Sequence, residues 1–165
     1  MKRIIGLVLI VMLMAVPFTA PAETAGEENA LSAAKAYLSL MPFSHSGLID
    51  QLRFDGYTDE EAAYAADHCG ADWMEQAKKS ALSYLAFMAF SYTGLIEQLR
   101  FEGFSNKEAT YGADHCGADW FEQAAKSAAS YLSIMSFSRS GLINQLKYEG
   151  FTDEQAEYGV SQNGF

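Results

Sequence analysis

The side chains with most chemical potential gather in a heptapeptide that occurs twice. It is Asp67-His68-Cys69-Gly70-Ala71-Asp72-Trp73, and again Asp114-His115-Cys116-Gly117-Ala118-Asp119-Trp120. A carboxylate, an imidazole and a thiol in succession suggest a metal site or an activated nucleophile. The spacing argues against both. Consecutive residues on a helix point in different directions, so one copy cannot bring all three groups to one ion. With two cysteines in the chain, neither a four-thiolate zinc site nor a disulfide framework is available. No Ser/His/Asp or Cys/His constellation recurs with a third group to orient it. His45 stands in the first copy only, with Tyr92 and Arg139 at the equivalent positions. The chain is therefore read as a non-enzyme, with no catalytic residue, metal or cofactor.

Other roles are open to the heptapeptide. His68 and His115 fall near helix C-termini, where the helix dipole favours a protonated imidazole. Cys69 and Cys116 are equivalent positions separated by a long helix. That works against a bond needing Cα atoms within about 7 Å. They read as buried free thiols, with an intermolecular disulfide as the alternative. Trp73 and Trp120 read as locks between one unit and the next, with exposure in a binding patch as the alternative.

Charge narrows the partners. The 165 residues carry 11 Lys and Arg against 21 Asp and Glu, a net charge of −10. Such a chain repels phosphate backbones, so nucleic acid is not expected as a partner. Half the residues are apolar and 13% aromatic, enough for packed cores rather than disorder. The carboxylates serve solubility, or they recognise a basic or mixed-charge protein. On the second reading the candidate binding residues flank a recurring turn: Asp50, Asp55, Glu97, Glu102 and Glu149.

The N-terminus looks like an address. Lys2 and Arg3 precede an apolar run over residues 4–16, and Ala20-Pro21-Ala22 has the pattern of a cleavage site. Residues 1–22 are expected to be a signal peptide cleaved after Ala22, which places the mature protein outside the cytoplasm. An uncleaved leader is the alternative, and membrane proximity is expected only in that case. Residues 23–29 read as a polar tether.

From there the sequence repeats every 47 residues. Phe43-Ser44 returns as Phe90-Ser91 and Phe137-Ser138, and Gly47-Leu48-Ile49 as Gly94-Leu95-Ile96 and Gly141-Leu142-Ile143. The units are placed at residues 28–74, 75–121 and 122–165, the last one truncated. The expected fold is all-α: tandem three-helix units, each a helix-turn-helix linked to the next by a longer helix.

Local signals define each helix. A long helix is expected over about residues 73–90, capped by Asp72, with Glu75 reaching back as in a capping box. Ala77, Ala81, Tyr84, Leu85 and Met88 form its apolar face. Asp119 and Glu122 repeat the cap. The first long helix is expected over about residues 28–41, closed by Pro42. A short helix follows, capped by Ser44, with Phe43 and Leu48 at hydrophobic-staple spacing. Gly56, Gly103 and Gly150 fit the left-handed position that ends it. The third helix opens with a capping box: Thr58 with Glu61, Ser105 with Glu108, Thr152 with Gln155. Gly47, Gly56, Asp72, Trp73, Gly94, Gly103, Asp119, Trp120, Gly141 and Gly150 thus make a structural signature of the repeat.

The second unit carries Ala81, Tyr84, Leu85, Met88, Phe90, Ser91, Gly94, Leu95, Ile96, Gln98 and Leu99. It continues through Glu102, Gly103, Phe104, Ala109, Tyr111, Asp119, Trp120, Gln123 and Ala124. This pattern resembles the Ltp family, the host cell surface-exposed lipoproteins, and the likeness spans residues 28–165. The resemblance implies helix-turn-helix repeats on the outer face of cells with a Gram-positive-type envelope. It also implies superinfection exclusion, as in prophage-borne relatives thought to bind the tape measure protein of an incoming phage. The sequence departs from the family in having no lipobox cysteine. Two functions are therefore carried forward. One is an exported binding protein that keeps phage DNA from entering the cell. The other is a secreted or envelope structural or adhesion module with no phage role.

Overall fold

The computed structural model describes residues 23–165; the expected leader, residues 1–22, lies outside them. Among the described residues there are nine α-helices and no strand. They form three triplets. The first is α1 (Ala25–Leu40), α2 (His45–Phe54) and α3 (Asp59–His68). The second is α4 (Trp73–Phe87), α5 (Tyr92–Phe101) and α6 (Asn106–His115). The third is α7 (Trp120–Ile134), α8 (Arg139–Tyr148) and α9 (Asp153–Ser161). In each triplet the long helix packs along the third and the short helix closes over both. Every extensively packed helix pair lies within one unit, so each unit has its own small core.

Those cores combine alanine on the long and third helices with two leucines from the short one. Ala30, Ala34, Leu48, Leu52, Ala62 and Ala66 fill the first; Ala77, Ala81, Leu95, Leu99, Ala109 and Ala113 take the same places in the second. Alanine lets the helix backbones approach closely. At Gly112 and Gly159 the approach is closer still. A Cβ on Gly112 would lie 2.9 Å from the Ala77 carbonyl oxygen, and one on Gly159 would lie 2.7 Å from the Ala124 backbone.

The expected caps form at both turns of the motif. Ser44, Ser91 and Ser138 accept from the backbone N–H of Gly47, Gly94 and Gly141. All three capping boxes of the third helices are closed. Gly56, Gly103 and Gly150 have φ of 99°, 90° and 91°. The next residue donates back to the last leucine of the short helix, as in Tyr57 N–H to Leu52 C=O at 3.2 Å.

Four local expectations are corrected. First, α1 begins at Ala25, so most of the presumed tether is helix. Thr24 and Glu27 supply a capping box there that takes up exposed N–H groups. Second, α4 stops at Phe87, three residues before its expected end; the long helices end at Leu40, Phe87 and Ile134, where Met41, Met88 and Met135 turn extended. Pro42 is not the cause, because Ala89 and Ser136 stand at its place in the other units. Third, Met88 lies outside the core, more than half exposed. Fourth, Glu75 and Glu122 do not reach back to their caps. Asp72 and Asp119 alone accept two backbone N–H groups each, and the glutamates bond elsewhere.

Candidate protein-interaction surface

The five carboxylates expected at the turn do not form one set. Asp55, Glu102 and Glu149 are the C-caps of the short helices, and each accepts a tyrosine hydroxyl from its own long helix. Tyr37 donates to Asp55 at 2.7 Å, Tyr84 to Glu102 at 2.6 Å, and Tyr131 to Glu149. Gln51, Gln98 and Gln145 donate in turn to these tyrosine oxygens, at 3.2, 3.1 and 3.1 Å. A triad of tyrosine, glutamine and carboxylate thus ties the short helix to the long one in every unit. The carboxylate holds the Tyr37 phenol above its ordinary range, and burial does the same for Tyr84, with Glu102 adding to it. Glu149 is the most buried of the three carboxylates, and loss of hydration raises its pKa although Ser127 donates to it.

The remaining two carboxylates face solvent. Asp50 shares Arg53 with Asp59, at 3.4 and 2.6 Å. Arg53 depresses the Asp59 pKa, and Asp59 in return raises that of the guanidinium. Glu97 has no hydrogen bond or ion pair from its side chain among the described residues.

The heptapeptide is a clasp between units. Trp73 opens α4 yet packs against the core of the first unit. His45 meets its ring edge-on at 5.1 Å and bonds Asp67 at 2.7 Å. In the second clasp Tyr92 replaces His45, meeting Trp120 at 5.5 Å and donating to Asp114 at 2.8 Å. An imidazole and a phenol fill one place, so the position requires a flat polar ring rather than proton chemistry. His68 and His115 stack on Tyr64 and Tyr111 one turn earlier and bond their carbonyl oxygens. Cys69 and Cys116 are free thiols, half-buried and buried. Glu75 accepts the Tyr111 hydroxyl at 2.9 Å and Glu122 that of Tyr158 at 3.3 Å. Among the described residues no group of three His, Cys, Asp or Glu side chains is placed to hold a metal ion.

A second recurring set escaped the sequence reading because it is apolar and yet lies outside the cores. Phe54, Phe101 and Tyr148 end the short helices at 87%, 85% and 88% exposure. Leu40, Phe87 and Ile134 end the long helices and are likewise mostly exposed. Both sets repeat at 47 residues. Asp50 precedes Phe54 by four residues, and Glu97 precedes Phe101 by four. On a helix that spacing puts acid and aromatic on one face. Between the second and third units, Phe87, Met88, Tyr131, Ile134 and Glu149 line a groove of about 580 Å³. The sequence signal was available: large apolar side chains recur out of phase with the core leucines.

A family model described as host cell surface-exposed lipoprotein matches residues 26–69, 72–116 and 119–162. Its three segments coincide with the three helix triplets. Neither the curated proteins nor the solved structures gave a match. Among the described residues no helix is long and apolar enough to cross a membrane.

Proposed function

Because the chain belongs to the host cell surface-exposed lipoprotein (Ltp) family, we propose that it is an exported binding protein that keeps phage DNA from entering the cell. Superinfection exclusion of this kind works by contact with a phage protein and requires no bond chemistry. The tape measure protein of the incoming phage is the proposed partner, and the outer face of a Gram-positive-type envelope the proposed location. Nucleic acid is not a proposed ligand, since the carboxylates outnumber the cations about two to one.

One observation carries the reading. Every unit presents a large, almost fully exposed apolar residue at the end of its short helix and another at the end of its long helix. Exposed apolar side chains gathered in patches mark places that another surface covers. Here such side chains recur at fixed spacing, and Asp50 and Glu97 lie one helical turn before Phe54 and Phe101 in the first two units. A partner with apolar anchors and basic neighbours would gain contact energy from the rings and steering from the acids.

The experiment is a phage challenge of cells that do and do not export the protein, with adsorption and DNA uptake measured separately. The proposal expects unchanged adsorption and reduced uptake for at least one phage. Unchanged uptake across a broad phage panel, with export verified, would leave the envelope or adhesion function in its place.

A further inference from the structure

The joint between units has a direction, and among the described residues one half of it stands open on the first unit and the other half on the third. At the first joint, Ser44 at the N-cap of α2 donates to the carbonyl of Glu102, the C-cap of α5, at 2.5 Å. Two residues on, Ser46 donates to the carbonyl of Gly103 at 3.0 Å. The second joint repeats both bonds. Ser91 donates to the Glu149 carbonyl, and Thr93 donates to that of Gly150 at 3.2 Å. Thus α8, α5 and α2 line up tail to head, each N-terminus capping the carbonyl end of the helix behind it. The fit is tight. A Cβ on Gly103 would come within 2.2 Å of the Ser46 hydroxyl, and one on Gly150 within 2.1 Å of that of Thr93.

The row stops at α8 and α2 without losing its chemistry. Ser138 and Ser140 stand where Ser44 and Ser46 stand in the first unit. Ser138 still receives Gly141 N–H at 3.1 Å, but both residues are exposed and, among the described residues, donate to no carbonyl. Ser44 and Ser91, by contrast, are each 2% exposed. At the other end the carbonyls of Asp55 and Gly56 match those of Glu102 and Gly103. Among the described residues they receive no donor, and a Cβ on Gly56 would meet nothing within 4 Å.

We propose that the joint continues between molecules: the Ser138–Ser140 end of one chain docks on the Asp55–Gly56 end of a second copy. The contact is heterologous, so it leaves a fresh half-joint at each end and builds an open head-to-tail array. The occupant is a second copy because the interface is one the molecule already forms twice with itself. Two differences at the ends bear on this. Tyr57 replaces Phe104 and Phe151, and Arg139 replaces His45 and Tyr92. By the 47-residue register, Gly26 takes the place of Trp73 in an incoming copy, beside Glu27 and Glu28 in the first turn of α1. Arg139 has no ion-pair partner among the described residues. It meets that acidic turn where the internal joints pair a flat ring with a tryptophan.

The test is sedimentation velocity with small-angle scattering on the exported protein over a wide concentration series. Species are expected to grow in length at constant cross-section. Ser140→Arg fills the joint without removing a cap and is expected to weaken association at least about 10-fold. Arg139→Glu is expected to weaken it too, and adding Glu28→Arg to restore it. Ser133→Arg, on the exposed side of α7, is expected to leave it unchanged. A monomer at every concentration overturns the proposal. So does association that Ser140→Arg and Arg139→Glu leave untouched while Phe101→Ser abolishes it, which would place self-contact on the apolar patch.

Discussion

Ser44 donates its hydroxyl to the carbonyl of Glu102 at 2.5 Å although 58 residues separate them. The same oxygen accepts the N–H of Gly47 at 2.9 Å. One side chain therefore starts a helix and fastens a unit to its neighbour. Among the described residues Ser138 performs only the first task, which makes the pair an internal control. Ser138→Ala is expected to cost about 1 kcal/mol, the loss of a cap. Ser44→Ala is expected to cost about 2 kcal/mol, because a buried hydrogen bond goes with it. Urea denaturation of both variants checks this, and equal losses would mean that the joint contributes nothing to stability.

Helix packing sets a second expectation. Gly112→Ala improves intrinsic helix propensity by about 1 kcal/mol. The new Cβ would also press on the Ala77 backbone and on Leu99. Overpacking of that kind costs about 1–3 kcal/mol, and backbone atoms have little room to yield. A net loss of stability in thermal melts is expected. Ala63→Gly, at a half-buried position of α3, is expected to lose only its propensity.

Acid stability follows from Glu149. Its folded pKa lies above the ordinary range of a glutamate because burial penalises the charge. A raised acid stabilises the fold fully below its unfolded pKa, and that contribution disappears as pH rises through the folded value. Glu149→Gln removes the titration and leaves an acceptor for Tyr131. The stability of this variant relative to the wild type is therefore expected to rise from about pH 4 upward and then level off. A difference that stays flat with pH would contradict the burial argument.

Alkali acts on the phenols. Tyr37, Tyr92 and Tyr111 are raised chiefly by hydrogen bonds to Asp55, Asp114 and Glu75, and Tyr84 and Tyr158 chiefly by burial. Tyr64 is pushed up to about 12 by its bond to Glu23. Their contribution is present below the ordinary phenol range and is lost as pH climbs through the raised values. Unfolding followed by circular dichroism is expected to coincide with phenolate absorbance above pH 10. Titration of these phenols near pH 10 in a folded protein would show that neither the carboxylates nor burial holds them.

Much of this fold was legible because its signals are local. The Ser and Thr caps of the second and third helices, and a glycine followed by an aromatic, act within four or five residues in all three copies, and the Asp cap of the long helix in two. Glu75 shows where such reading fails. Its spacing from Asp72 satisfies the capping-box pattern, yet the carboxylate turns to Tyr111, 36 residues away. The candidate site was less legible for the same reason. Asp55, Glu102 and Glu149 looked available, but each answers a tyrosine 18 residues earlier. That constant spacing in all three copies was the sign of an internal pair. Phe54 and Phe101 went unremarked because an aromatic beside a core leucine is naturally assigned to the core. Their exposure depends on how α2 and α5 rotate against their neighbours, which no local signal states.

The exposed rings are where the account of function can be tested most directly. Cells exporting the wild type or the combined Phe54→Ser, Phe101→Ser and Tyr148→Ser variant should be challenged with a phage that the wild type excludes. DNA uptake should be measured alongside the amount of exported protein. Because these side chains lie outside the cores, the variant is expected to keep its helicity, its melting temperature and its abundance. It is also expected to let phage DNA in. Full exclusion by a folded, exported variant would contradict the claim that the repeated apolar face does the binding.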